Sequence, residues 1–265
     1  YFDWTFFYET LPADQVELAL WLEAERMNFL RIDQPAFDTE RNVVEEELRM
    51  YENRPYGTLM KKLLPALFEV HPYRWPPIGN LAHLRATSVA DLRAFWRGYY
   101  VPDNAVLVIV GAISHEKARA LAERYFGWVP SQGEPPRVTV REPAWEEPRT
   151  IVIDDENAPA GLVSSVWRTV PRGHADEVRL DLLAEILGGG KSSRLYRDLV
   201  ADKQWAVETQ ASTWNLQQDG LFFVDITQAE GTDPNAIATA IAEHAQVLRE
   251  RPITEDEPVS YTHLR

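Results

Sequence analysis

The 265-residue chain contains no cysteine, so disulfides and thiolate metal sites are closed to it. Basic residues are few: 27 Lys and Arg against 41 Asp and Glu leave a net charge of −14, which disfavours nucleic acid and anionic membranes as partners. No apolar run approaches the about 18 residues that a membrane-spanning helix needs. Histidine is scarce as well. The six lie at 71, 83, 115, 174, 244 and 263, none falls in the first seventy residues, and no two are four apart. Both common two-histidine zinc motifs, His-x-x-Glu-His and His-Glu-x-x-His, are therefore absent. The lack of cysteine says nothing of compartment: bacterial periplasm and cytoplasm both fit. What the chain does have is apolar and aromatic mass, with 45% hydrophobic residues including nine Trp, ten Tyr and ten Phe. That is enough for real cores, in one large or two ordinary domains.

Read in order, residues 1–10 alternate and are rich in aromatics, as in a strand. A turn at Leu11–Asp14 leads into an amphipathic helix over 13–30 with Val16, Leu20, Ala24 and Met27 along one stripe. A connector with Pro35 follows, then a helix discussed below, then a helix over 58–69 in which Pro65 predicts a kink or break. The loop His71–Gly79 is dense in Pro and aromatics, and a lone loop histidine such as His71 reads as structural. Ser88 and Asp91 form a capping-box start for a helix to Tyr99. Ala105-Val-Leu-Val-Ile-Val-Gly111 reads as a strand buried on both faces, and Ser114 caps a helix to Phe126. Residues 131–148, rich in Pro, read as a linker between a domain over 1–130 and a second over 149–258. In the second, strands are expected at 149–155, 162–169, 205–214 and 220–228, with helices at 174–187, 191–201 and 234–250. Strands joined by short turns with interspersed helices indicate an α+β fold. Gly188-Gly-Gly-Lys-Ser192 is no phosphate loop, because Glu185 stands where its first Gly belongs and a helix precedes it; it reads as a helix C-cap. Residues 259–265 change composition abruptly and resemble a translated sequencing adapter.

The helix opened by Asp38 or Thr39 carries the chemistry. On a wheel of about 100° per residue starting at Glu40, Val43, Val44, Leu48, Met50 and Tyr51 fall on one side. Arg41, Asn42, Glu45, Glu46, Arg49 and Glu52 fall on the other. Glu40 and Glu47, two turns apart, lie within the apolar side. A carboxylate on a buried face is costly unless paired or bound to a metal. The plain reading is a surface helix with both Glu at its edge or paired to Arg. The sharper one is a metal ligand backed by a second carboxylate.

Glu40-Arg-Asn-Val-Val-Glu-Glu-Glu-Leu-Arg49 resembles the distal ligand helix of the pitrilysin/insulinase family of zinc metallopeptidases, the inverzincins, which include the mitochondrial processing peptidases. Phe7-Tyr-Glu-Thr-Leu-Pro-Ala-Asp14, Glu17–Met27, His71-Pro-Tyr73, Tyr99–Gly111 and Leu187–Tyr196 match in the family's order. The resemblance implies two similar α+β domains forming half of a clamshell metallopeptidase, the first incomplete at its N-terminus. It implies hydrolysis of peptide bonds in peptides or unfolded polypeptides, with one zinc ion. Glu47 would be a zinc ligand and Glu40 the carboxylate behind it. The two His ligands and the general-base Glu are expected upstream, so no catalytic residue is expected within the chain. The expected partners are a peptide substrate, which the strand at 2–8 could pair with, and a second half-molecule or partner subunit.

One departure is the missing His-x-x-Glu-His; the expectation that follows is an internal fragment of a longer chain, itself inactive. Another is that an Arg and a Tyr seven residues later, which contact substrate in active relatives, are replaced by Val200 and Val207. The alternative is therefore a non-catalytic family member that acts as a structural or peptide-binding partner.

Overall fold

A computed structural model describes residues 1–131 and 133–250, in two compact units, the chain passing from the first to the second between Ile153 and Asp154. The C-terminal part of the second domain expected from the sequence, 251–258, and the adapter-like 259–265 lie outside the described residues.

The first unit is helical: α1 (Val16–Phe29), α2 (Gln34–Glu52), α3 (Leu59–Leu67), α4 (Leu81–Ala86), α5 (Val89–Tyr99) and α6 (His115–Phe126). Local chemistry fixes the ends. Ser88 and Asp91 exchange the two bonds of a capping box at α5, and the Ser114 hydroxyl accepts from Lys117 N–H at α6. α3 runs through Pro65 and stops two residues later. α1 packs on α6, burying Leu20, Ala24 and Leu121. A second buried cluster gathers Leu63, Leu64, Leu67, Phe68 and Tyr73 at the end of α3. His71 is part of it: its ring nitrogen Nδ1 accepts from Tyr73 N–H at 3.1 Å.

Three expected strands are not formed. Residues 2–8, 105–111 and 149–155 belong to no sheet, and among the described residues no backbone–backbone bond joins 4–8 or 106–110 to another segment. The reason is physical: apolar alternation makes a segment fit for a sheet, but only a neighbouring strand can take its N–H and C=O groups. Val106, Val108 and Val110 are instead 90%, 74% and 91% exposed, contrary to a strand buried on both faces. Trp4, Phe6 and Tyr8 run along one side of the extended N-terminal segment with ring centroids 5.6 and 5.7 Å apart.

The second unit does build its sheet. β1 (Leu162–Thr169), β2 (Ala206–Asn215) and β3 (Gly220–Gln228) pair antiparallel in the order β1-β3-β2, with Phe223 opposite Val166 and Val224 opposite Ala211. Phe222, Val224 and Ile226 of the central strand alternate onto one face. They meet Leu187 of α7 (Glu177–Gly188), Leu195 and Leu199 around the π-helical turn Tyr196–Asp202, and Ile237 and Ile241 of α8 (Pro234–Glu250). A Cβ on Gly188 would lie 2.5 Å from the backbone nitrogen of Ala211, so only glycine lets α7 approach β2 this closely. α7, not a strand, precedes this glycine run, in keeping with the helix-cap reading. The fold class is α+β.

Candidate functional site

The N-cap of α2 lies five or six residues earlier than the sequence suggested. Asp33 is the N-cap, its carboxylate accepting from Ala36 N–H at 3.0 Å, and Pro35 occupies the first turn. There its missing N–H costs nothing and its fixed φ suits the helix.

The longer helix shows a different inner face. Phe37 and Leu48 are buried, and Arg41, Val44, Glu45 and Glu52 are half-buried, one stripe at helical spacing. Glu40 and Glu47 are exposed, which overturns the expectation that they sit on a buried face and with it the argument from burial cost. Val43 (56%), Met50 (57%) and Tyr51 are exposed on their side of the helix.

The ion pairs sort the acids of α2. Asp38 pairs with Arg41, Glu46 with Arg49, and Glu52 with Lys61. Glu45 takes a two-pronged bond from Arg85 of α4, at 3.1 and 2.9 Å, which holds its carboxyl below the usual range. Of the six acidic residues on this helix, only Glu40 and Glu47 have neither hydrogen-bond nor ion-pair partner among the described residues. They stand two turns apart on one face.

That pair does not make a zinc site by itself. Zinc takes three or four ligands, mostly His and Cys, and among the described residues no group of three His, Cys, Asp or Glu side chains is placed to hold a metal. His71 is buried in its aromatic cluster, and His83 bonds Asn80 beside Trp75. His244 lies 3.1 Å from Asp198 in the second unit. His263 lies outside the described residues. No step of catalysis can be routed through a metal on these residues alone.

The structure adds a group the sequence did not single out. Burial and a hydrogen bond with Glu9 push the Glu23 carboxyl up to about 7, against the pull of Arg26 at 3.2 Å. Fourteen residues separate the two acids, so no local motif announces them. Val200 packs against the core of the second unit, and Val207 is exposed on β2. Neither offers a polar atom to a substrate.

Residues 86–259 match the model of the family described as "Peptidase M16 inactive domain". Glu40 and Glu47 lie before the matched range. The zinc protease PqqE of Helicobacter pylori is 30% identical over 253 residues, covering 94% of this chain and 56% of that protein. The crystal structure of a protease from Helicobacter pylori superposes with a TM-score of 0.86 at 28% identity, over 92% of this chain and 60% of that one. The first half of the periplasmic protease PqqL from Escherichia coli shares the fold, with a TM-score of 0.74 at 16% identity over 94% of this chain and 54% of that one. The chain thus spans little more than half the length of these relatives. With two thirds of its residues inside the family match and the ordered motifs of the pitrilysin type, it belongs to the M16 family of zinc proteases.

Proposed function

We propose that this chain is the part of an M16 zinc endopeptidase that contributes a single carboxylate ligand, Glu47, with Glu40 orienting the ligand shell from behind. The two His ligands and the general-base Glu come from a His-x-x-Glu-His segment outside this chain. The observation that carries the reading is the sorting of charges on α2. Four acids are neutralised by Arg or Lys, whereas Glu40 and Glu47 are left uncompensated. They lie on an exposed face interleaved with Val43 and Met50. A purely solvated face has no use for exposed Val and Met between its acids; a face that another segment covers does. The reaction class is metal-assisted hydrolysis of peptide bonds, and the substrate an extended peptide or unfolded polypeptide.

A second reading, a non-catalytic partner that holds peptides or a sister subunit, is favoured by Val200 and Val207, which replace the polar pair expected to touch substrate. One experiment separates the two. Alone, the chain should bind zinc more weakly than micromolar and cleave no unstructured peptide. Co-expressed with the His-x-x-Glu-His segment of the Helicobacter pylori relative, it should hold one zinc per complex. Glu47→Gln should abolish that binding, and Glu40→Gln should weaken it about 10- to 100-fold, as loss of an outer-shell partner does. A complex that forms with zinc bound but cleaves nothing supports the second reading. Micromolar zinc binding by the chain alone, lost in Glu47→Gln, would sink the first.

A further inference from the structure

α3 ends at Leu67, and the three residues after Phe68 turn their N–H groups toward one point. No backbone carbonyl among the described residues accepts from Glu69 or Val70. The Glu142 carboxylate does: Oε1 accepts from Glu69 N–H at 2.6 Å, and Oε2 from Val70 N–H at 3.0 Å and His71 N–H at 2.8 Å. Successive amides converging on one anion form a nest, and hydrogen bonds to a charged acceptor are the strong kind. The ground beneath is rigid, since Phe68, His71 and Tyr73 are all buried. The rim is open, because Glu69 and Val70 are exposed.

Two further contacts come from the same stretch. Trp145 Nε1–H donates to the Leu67 carbonyl at 3.1 Å, meeting one of the acceptors that the end of α3 leaves free. Arg149 pairs with the Glu69 carboxylate. Residues 142–148, which read as linker in the sequence, and Arg149 beside them therefore dock on the end of α3 by one anion, one indole and one guanidinium.

We infer that the Glu69–His71 amides are a carboxylate receptor whose resident ligand is the chain's own Glu142, and that this contact latches residues 142–149 onto α3. The site takes a small carboxylate when the internal one is removed. In the wild type it is filled and ignores carboxylates in solution.

Amide hydrogen exchange on the 265-residue chain tests this, with acetate as the probe. In Glu142→Ala the Glu69, Val70 and His71 amides should exchange about tenfold faster or more, while Leu63 and Leu64 inside α3 keep their protection. Sodium acetate should restore protection in Glu142→Ala and leave the wild type unchanged, and sodium chloride at equal ionic strength should not substitute for it. Glu142→Gln, which keeps the shape and one carbonyl acceptor, should fall between the two and serves if the alanine variant does not fold. Equal exchange in wild type and both variants would overturn the latch. Acetate no better than chloride in Glu142→Ala would overturn the receptor.

Discussion

The two units solve the same problem to different degrees. In the second, β3 lies between two partners, its inward residues Phe222, Val224 and Ile226 are buried, and Leu199, Ile237 and Ile241 close the core above them. In the first, the strand-like runs at 2–8 and 105–111 lie extended with no ladder among the described residues, and Val106, Val108 and Val110 face solvent. The compositions of Val-Asp-Ile-Thr and Val-Leu-Val-Ile are equally suited to a sheet. What differs is whether neighbouring strands are present, because a strand, unlike a helix, cannot satisfy its own backbone. Helices of the first unit form on their own caps and i→i+4 bonds; its strands do not.

This contrast is broken most sharply by a matched pair of substitutions. Leu199 is fully buried, so Leu199→Ala should cost about 2–5 kcal/mol through lost transfer energy and the cavity left behind. Val108→Thr should cost no more than about 0.5 kcal/mol, since the side chain is 74% exposed. Urea unfolding of both variants measures the difference. A large cost at Val108 would mean that something covers that strand, and the two units would then be alike.

A smaller effect lies in the first unit and depends on pH. The Glu23 carboxyl is pushed up from 4.5 to about 7, by burial first and the bond with Glu9 second. In the folded chain it therefore keeps its proton to near neutrality, whereas in the unfolded chain it ionises above about 4.5. Between those values the folded state binds more protons, so this contribution to stability is complete at acid pH and is lost as pH rises through 7. Wild type minus Glu23→Gln, followed as Tm from pH 5 to 8, should fall across that window. A flat difference would show that Glu23 ionises as an ordinary glutamate and that the Glu9–Glu23 contact holds no proton.

How much of this could be read beforehand depends on whether the signal was local. β1, β2, β3 and α8 were legible because alternation, tight turns and Pro234 lie within each segment; the β2–β3 hairpin is local too, whereas the pairing of β1 with β3 spans α7 and β2 and leaves no mark in either segment. The Ser88–Asp91 capping box and the Ser114 N-cap were legible for the same reason. The family was legible in the ordered motifs, each of them short. The inner face of α2 was not. A connector that contains Pro35 and runs through Phe37 leaves Phe37 off the wheel, and Val43 and Met50 pull the apolar side toward Glu40 and Glu47. Once Phe37 is included, the buried stripe is Phe37, Val44 and Leu48, and the two acids stand about 60–80° round the helix from its centre. The Glu142 contact and the Glu9–Glu23 pair bridge 71 to 73 residues and 14 residues, and no periodicity reports such distances.

The smallest expected effect bears directly on the candidate site. Glu47 is exposed and has no partner among the described residues, so it contributes nothing that holds the first unit together. Glu47→Gln should therefore shift the stability of the isolated chain by less than about 0.5 kcal/mol. Glu45→Gln is the control on the same helix, because it strips Arg85 of a two-pronged partner and should therefore lower stability more than Glu47→Gln does. If thermal denaturation finds Glu47→Gln the more damaging of the two, Glu47 is a structural residue and its place in a metal site loses its footing. If it finds Glu47→Gln silent, the chain keeps an uncompensated carboxylate that its own fold does not need, and the reason for it must be sought in what covers that face.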